Sequence, residues 1–464
     1  MPRFEHHRAT VSILAASICL LLDADLLQAQ VLPGGGVGNT VVQGILIDAD
    51  GVVKSQFRRS KRAKLDMKRR EAEAAKIISA DLNTASLLRK VSLVQLEAAC
   101  EECVQNGKPI SEEIAYLAGL QRIDYLFVYP DKQDLVIAGP AEGFLHDESG
   151  RAVGVSTGRP PLRLDDLLVA LRRMQSGGDL GCSIDPVQER LAALTRYVAN
   201  NSTPAPSSVA KSRYRRMARI LGMHNVRIWG IPPDSHFART LLEADYRMKL
   251  ISVGLEPSGV RGLKSHLSML KPGGNSMQRW WFTPLYDAFT MSEDGNAFQF
   301  AGQRAQLRSQ NEVVSSSGQR SDARSTRATT QRFSRLFTQK FPELADTSPV
   351  FAELQNLIDL AVLAALLKKE GLPQKVGWEM ALFLDAVRAP IATGTVPRQV
   401  HAVTNFRESG SRMILGLVGG GVKIDPQRTL ARIDFQRDTD DVIKGLRTES
   451  FGRARPKTHA WWWD

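Results

Sequence analysis

The sequence predicts an α+β fold of two or three mixed domains, the middle one a small two-layer α/β unit, preceded by a basic N-terminal arm. Three observations predict it. Short apolar strand pairs stand beside amphipathic helices, as where YLFVYP and DLVIAGP are followed by LDDLLVALRRM. The 464 residues leave room for two or three sizeable cores. Two stretches, NNSTPAPSS at 200–208 and SSSGQRSDARSTRATTQR at 315–332, are polar and nearly free of large apolar residues, and read as linkers. The resulting division is an export signal over 1–29, a hairpin and basic arm over 30–80, and an α+β domain over 81–199. A linker at 200–210, the two-layer domain over 211–314, a linker at 315–332 and a C-terminal helical and strand domain over 333–464 complete it.

At the N-terminus, Arg3 and Arg8 precede the apolar run VSILAASICLLL, which stops at Asp23 and Asp25. The run is well short of the roughly 20 residues that cross a bilayer as a helix, so the segment reads as a cleaved export signal, cut after Ala29. The expected destination is the periplasm, cell envelope or extracellular space, with no transmembrane span after cleavage. Cleavage leaves 59 Lys plus Arg against 46 Asp plus Glu, a basic protein whose charge favours polyanions. It also leaves three of the four cysteines, which cannot all pair within one chain, so packing rather than disulfides must hold the fold. Cys100 and Cys103 form CEEC toward the end of a helical stretch, where a thioredoxin-type site would need the opening of a helix after a strand.

VVQGILIDADGVVKS carries an Asp-Gly turn between β-branched runs, a hairpin pattern; Asp48 and Asp50 lack the further ligands of a calcium loop. The basic arm follows, with Lys54, Arg58, Arg59, Lys61, Arg62, Lys64, Lys68, Arg69 and Arg70 opposed by Asp66 alone. Those nine residues are the expected polyanion contact. SLLRKVSLVQLEAACEECV and SEEIAYLAGL read as helical, YLFVYP and DLVIAGP as strands about the turn DKQ, and LDDLLVALRRM as a helix. In the middle unit NVRIWGIP reads as a strand, DSHFARTLLEADYRM as a helix, LISVGLEP as a strand and VRGLKSHLSML as a helix. QRWWFTP, NAFQFAG and QRAQLRS are further strands, with one ring of the pair Trp280 and Trp281 facing the core and the other solvent. LIDLAVLAALL, apolar all round but for Asp359, reads as a buried core helix or subunit contact.

Three motifs invite chemistry. The glycines of ILGLVGGGVKIDP are followed by Val422, Lys423 and Ile424, the wrong register for a phosphate loop, and read as close backbone packing. His146, His224, His266 and His401 show no metal-ligand spacing, and neither a metal nor a cofactor is expected. In PPDSHF, Asp234, Ser235 and His236 offer a hydrolase-like set at a strand-to-helix turn. The alternative is a helix cap, because the prolines force an extended approach and Asp234 or Ser235 can accept a first-turn N–H. Behind the cap Phe237, Leu241, Ala244, Met248 and Ile251 form one apolar stripe, while Glu243 with Arg247 and Asp245 with Lys249 are acid-first pairs four residues apart. The terminal HAWWWD either folds back into a groove or offers aromatic surface.

YLFVYPDKQDLVIAGPAEGF, GRPPLRLDDLLVALR, GCSIDP, GIPPDSHFARTLLEADYRMKLISVGLEP, RWWFTPLYDAFTMSEDGNAF and GLVGGGVKIDP lie between about residues 121 and 425. These stretches resemble an uncharacterised secreted protein family of planctomycete bacteria that carries a domain of unknown function. The resemblance implies an exported, envelope-associated protein and transfers no catalytic residue. The sequence thus points to a non-enzymatic envelope protein that binds a polyanion, glycan or protein partner or serves structurally, with no specific nucleic acid. The alternative is a secreted hydrolase using residues near Asp234, Ser235 and His236.

Overall fold

The computed structural model describes residues 41–47, 53–59, 68, 70, 72–74, 79–203, 205–271, 276–324, 326–409, 412–452 and 461–464. The segment expected to be an export signal lies outside these residues, as do Lys61, Arg62, Lys64 and Arg69. Lys54, Arg58 and Arg59 fall on a strand, Val53–Arg59 (β2), that pairs antiparallel with Val41–Ile47 (β1), the hairpin expected about the Asp-Gly turn. Lys68 is exposed and Arg70 half-buried.

The fold is mixed α+β. Ser86–Ser92 (β3) is a strand, where helical spacing was read throughout, and Leu93–Gln105 (α1) follows it. The break comes at Ser92, whose hydroxyl caps the helix by accepting from the Gln95 N–H at 3.0 Å. Tyr125–Tyr129 (β4) and Asp134–Ala141 (β5) form the expected hairpin. Phe144–His146 (β6) and Ala152–Gly154 (β7) make a small ribbon, and Leu164–Ser176 (α2) is the helix of LDDLLVALRRM.

Leu180–Pro186 (β8) and Met223–Trp229 (β9) are antiparallel neighbours joined by a helical hairpin, Gln188–Asn200 (α3) and Ser207–Leu221 (α4). His236–Val253 (α5) then runs through Leu250–Val253, the stretch read as a second strand. Ile251 and Val253 are buried against the sheet, so packing overrides their strand preference, and Gly254 at φ 74° ends the helix. VRGLKSHLSML is helical only over His266–Met269.

The remaining strands are Ser276–Leu285 (β10), Ala288–Met291 (β11), Ala297–Ala301 (β12), Arg304–Val314 (β13) and Arg320–Asp322 (β14). Gln399–His401 (β15), Thr404–Ser409 (β16), Arg412–Ile424 (β17), Phe435–Arg437 (β18) and Trp462–Trp463 (β19) follow the helices Ala328–Gln339 (α6) and Pro349–Lys369 (α7). One sheet runs β14-β13-β10-β17-β8-β9-β15 with β16 also on β17, and the other runs β18-β11-β12-β4-β5-β3-β19. Strands from the sequence segments 81–199, 211–314 and 333–464 are interleaved in both. The stretches read as linkers carry elements themselves, β14 and the start of α6 within 315–332 and the start of α4 within 200–210, while β17 slots between β8 and β10 and β12 pairs with β4.

α7 is buried nearly end to end, long and apolar enough by composition to span a bilayer yet enclosed as a core helix. Its Asp359 accepts from the Tyr286 hydroxyl at 2.7 Å and pairs with Arg304 at 3.1 Å, which supplies the partners a buried carboxylate requires. The last residues fold back as well. β19 adds an edge to β3, Trp461 and Trp463 are buried, and the Arg89 guanidinium, itself fully buried, packs over Trp462 and grips the Asp464 side chain at 2.8 Å.

Candidate functional site

Strand alternation in the eight-stranded sheet sorts two tryptophans to opposite faces. Trp280 is fully buried against His266 and Phe333, whereas Trp281 looks out on the other face. The β10–β13 register sets Arg279 opposite Gln310, Trp281 opposite Arg308 and Thr283 opposite Gln306, one polar and aromatic surface. Next to it β17 presents glycines and Lys423, and β8 and β9 add Ser183 and Trp229. The helix Pro426–Arg432 (α8) closes one end with Arg428 and Arg432. Together they line an open trough of about 780 Å³.

The glycines of β17 permit this arrangement. Gly420 sits at φ 146°, and a β-carbon there would strike the Trp280 carbonyl; one on Gly421 would run into the Cys182 carbonyl. Close backbone packing is thus what VGGGV does. Trp229 lies against Gly181 where a side chain would collide with its ring. Five basic residues line the trough, Arg279, Arg308, Lys423, Arg428 and Arg432, against Asp322 and Asp425. Lys423 is tied to Asp179 at 2.9 Å, while Arg308, Arg428 and Arg432 have no acidic partner among the described residues. The surface is therefore cationic, with aromatic faces between the charges.

The PPDSHF residues lie elsewhere and do not converge. Asp234 is exposed, and its backbone carbonyl accepts from the Gly394 N–H at 2.8 Å. Ser235 is 2% exposed and is the cap: its hydroxyl accepts from the Ala238 N–H at 3.1 Å and donates to the Pro232 carbonyl at 2.7 Å. His236 turns inward. Its Nδ1 is 2.9 Å from Asp166 of α2, and its Nε2 is 3.4 Å from the Thr240 hydroxyl and 3.6 Å from Glu353 of α7. Arg151 completes the cluster, bonded to Glu243 at 2.7 Å and Glu353 at 2.9 Å.

Burial opposes charge on His236, but Asp166 and Glu353 together outweigh it and raise the imidazole pKa above its ordinary value. Burial likewise opposes ionisation of Glu353, yet Arg151 and His236 hold its carboxyl well below the usual range. The cluster borders a cavity of about 100 Å³, room for a few waters at roughly 30 Å³ each. Ser235 and His236 thus have separate partners, the hydroxyl committed to backbone and the ring held between carboxylates. That geometry does not form a nucleophile and base pair.

Among the described residues no group of three or more His, Cys, Asp or Glu is placed to hold a metal ion. His224 and His266 are buried, which lowers their pKa values to about 3 and about 4, while His146 and His401 are exposed. Cys100, Cys103 and Cys182 are free thiols, and burial pushes Cys100 up to about 12.

Sequence reasoning reached Trp281 but missed the trough. The pattern was available in RAQLRSQ, where Gln306, Arg308 and Gln310 alternate with Ala305, Leu307 and Ser309. What the pattern lacked was the neighbour that aligns with it.

Residues 182–266, from β8 through the helical hairpin and α5 to His266, match a family described as a protein of unknown function (DUF1598). The match covers CSIDP and the whole PPDSHF helix. No curated protein and no solved structure matches the chain.

Proposed function

We propose that this chain is an exported, non-enzymatic protein of the cell envelope that holds an anionic polysaccharide in the trough of its eight-stranded sheet. The observation that carries the reading is the lining itself: Trp281 and Trp229 beside Arg308, Arg428 and Arg432. Aromatic faces pack on the apolar faces of sugar rings, while guanidinium forks match carboxylate or sulfate groups in two-point hydrogen bonds. Gln306, Gln310 and Thr283 supply hydrogen bonds for hydroxyls. The volume is in the range of ligand sites, about 300–1,000 Å³. The short apolar run behind Arg3 and Arg8 supports export, and the basic arm over 54–70 is proposed as a second, weaker polyanion contact.

Calorimetric titration of the mature protein with polygalacturonate, with neutral dextran and with single-stranded DNA tests the reading. Polygalacturonate is expected to bind in a salt-sensitive way and dextran not to bind. Arg308→Ala should weaken binding about tenfold, the loss of one charge-assisted hydrogen bond. Trp281→Ala should weaken it too, whereas deleting 54–70 should leave most of it. Binding insensitive to both trough variants, or DNA bound more tightly than polygalacturonate, overturns the proposal.

A further inference from the structure

The helical hairpin inserted between β8 and β9 is strongly lopsided in charge. Between Val187 and Gly222 there are seven basic residues and a single acidic one, Glu189, so this hairpin carries a net +6 of the whole chain's +12. Its helices are shallowly seated. α3 buries only Leu191 and Ala192, and α4 only Leu221. The inner face of α4 is anchored by Tyr214, whose ring lies 4.6 Å from that of Phe406 and whose hydroxyl is 3.0 Å from Thr404. Arg213 stiffens the turn by donating to the carbonyls of Asn201 at 2.9 Å and Thr203 at 2.7 Å.

The outer face is different in kind. Val209, Ser212, Arg216 and Arg219, spaced three, four and three apart, form one exposed stripe along α4, with Arg215 exposed beside it. Val198, near the end of α3, and Val209, near the start of α4, flank the same turn and stand 46% and 43% exposed. Arg196, Arg215, Arg216 and Arg219 have no acidic partner among the described residues, whereas Lys211 is occupied by Glu408 at 2.7 Å. Two exposed valines thus bracket a polar turn, beside a cationic flank.

We infer that this hairpin docks on an anionic lipid bilayer, with its arginines on headgroup phosphates and Val198 and Val209 at the acyl boundary. The valines choose the partner. A glycan or nucleic acid would engage the arginines but gain little from two exposed branched side chains, while a bilayer interface rewards both. The inference is independent of the trough. Together the two surfaces would let one molecule hold an envelope glycan and rest on a membrane.

Co-sedimentation of the mature full-length protein with vesicles tests it. Vesicles of phosphatidylglycerol and phosphatidylethanolamine are expected to bind the protein, and pure phosphatidylcholine vesicles to leave it in solution. Arg215→Glu combined with Arg216→Glu and Arg219→Glu should weaken binding by roughly 100-fold or more, each cation near a charged bilayer contributing about fivefold. Val198→Ser with Val209→Ser should weaken it several-fold while leaving affinity for soluble dextran sulfate unchanged. Circular dichroism should show all variants folded as the parent is. The inference fails if the arginine variant sediments like the parent. It fails equally if the valine variant binds vesicles undiminished, which would make the hairpin a general polyanion surface, or if only deletion of 54–70 abolishes binding.

Discussion

Replacing Ser235 by alanine isolates the cap of α5 from any catalytic role. The hydroxyl makes two bonds in a site 2% exposed, accepting from the Ala238 N–H and donating to the Pro232 carbonyl. Loss of an N-cap costs about 1 kcal/mol, and stranding a buried N–H moves the figure upward, so Ser235→Ala should cost about 2 kcal/mol. Asp234→Ala removes an exposed side chain that does not cap and should stay within about 0.5 kcal/mol. Ser235→Thr keeps both bonds and should recover most of the loss. Urea unfolding followed by tryptophan fluorescence measures all three, provided the slope stays constant so that the midpoint reports stability. If Asp234→Ala cost as much as Ser235→Ala, or if Ser235→Ala were neutral, the cap assignment would be wrong. A Ser235→Ala protein with an unchanged midpoint but no ligand binding or activity would return Ser235 to a direct functional role.

Leu241→Ala, at a fully buried position of the same helix, should cost roughly 2–5 kcal/mol in that unfolding assay by opening a cavity. His236 carries a folded-state pKa above its unfolded value, so its contribution is complete below about pH 6.5 and fades as pH rises through the folded pKa. His236→Gln should therefore lose more stability at pH 5.5 than at pH 9, and midpoints compared across that range check it. Trp463→Ala should cost about 3–5 kcal/mol by emptying a buried site on the edge strand, read by thermal unfolding. With iodoacetamide on the folded protein, mass spectrometry should find Cys103 alkylated first, because Cys100 and Cys182 are buried and their thiols are held protonated.

Local signals in the sequence were read well where one element decides its own form. The Asp-Gly hairpin, the β4–β5 turn, the stripe from Phe237 to Ile251 and the split of Trp280 from Trp281 all follow from spacing and turn chemistry. Long-range pairing was not legible. Nothing in ILGLVGGGVKIDP says that its strand lies between β8 and β10, which are more than a hundred residues upstream in sequence, and the trough exists only through that insertion. The same holds for the terminal WWWD, whose burial depends on Arg89 and on the edge of β3. Ser92, a strand residue that is also a cap, hid a strand inside what periodicity alone read as helix.

The acid-first pairs of α5 carry the point further. Asp245 with Lys249, and Glu243 with Arg247, have the spacing of solvent-facing pairs, which stabilise a surface helix by a few tenths of a kcal/mol. The structure buries all four residues. Lys249 meets Asp245 at 2.6 Å, but Glu243 bonds Arg151 at 2.7 Å and stays 3.9 Å from Arg247, whose closer partner is Glu256 at 2.6 Å. Burial pushes the Asp245 carboxyl up to about 6 even beside Lys249, which shows how far desolvation opposes these charges. Such pairs add little net stability over apolar residues of the same size. Breaking one is expensive, since it strands a charge in the interior. α5 is thus committed to one rotation and one depth, because Arg151 on the loop before β7, Asp166 on α2 and Glu353 on α7 each find their partner only there. His236 belongs to that locking set. Its place at the helix start, beside a capping serine, follows from the need to fix α5 beneath the sheet whose opposite face carries the trough.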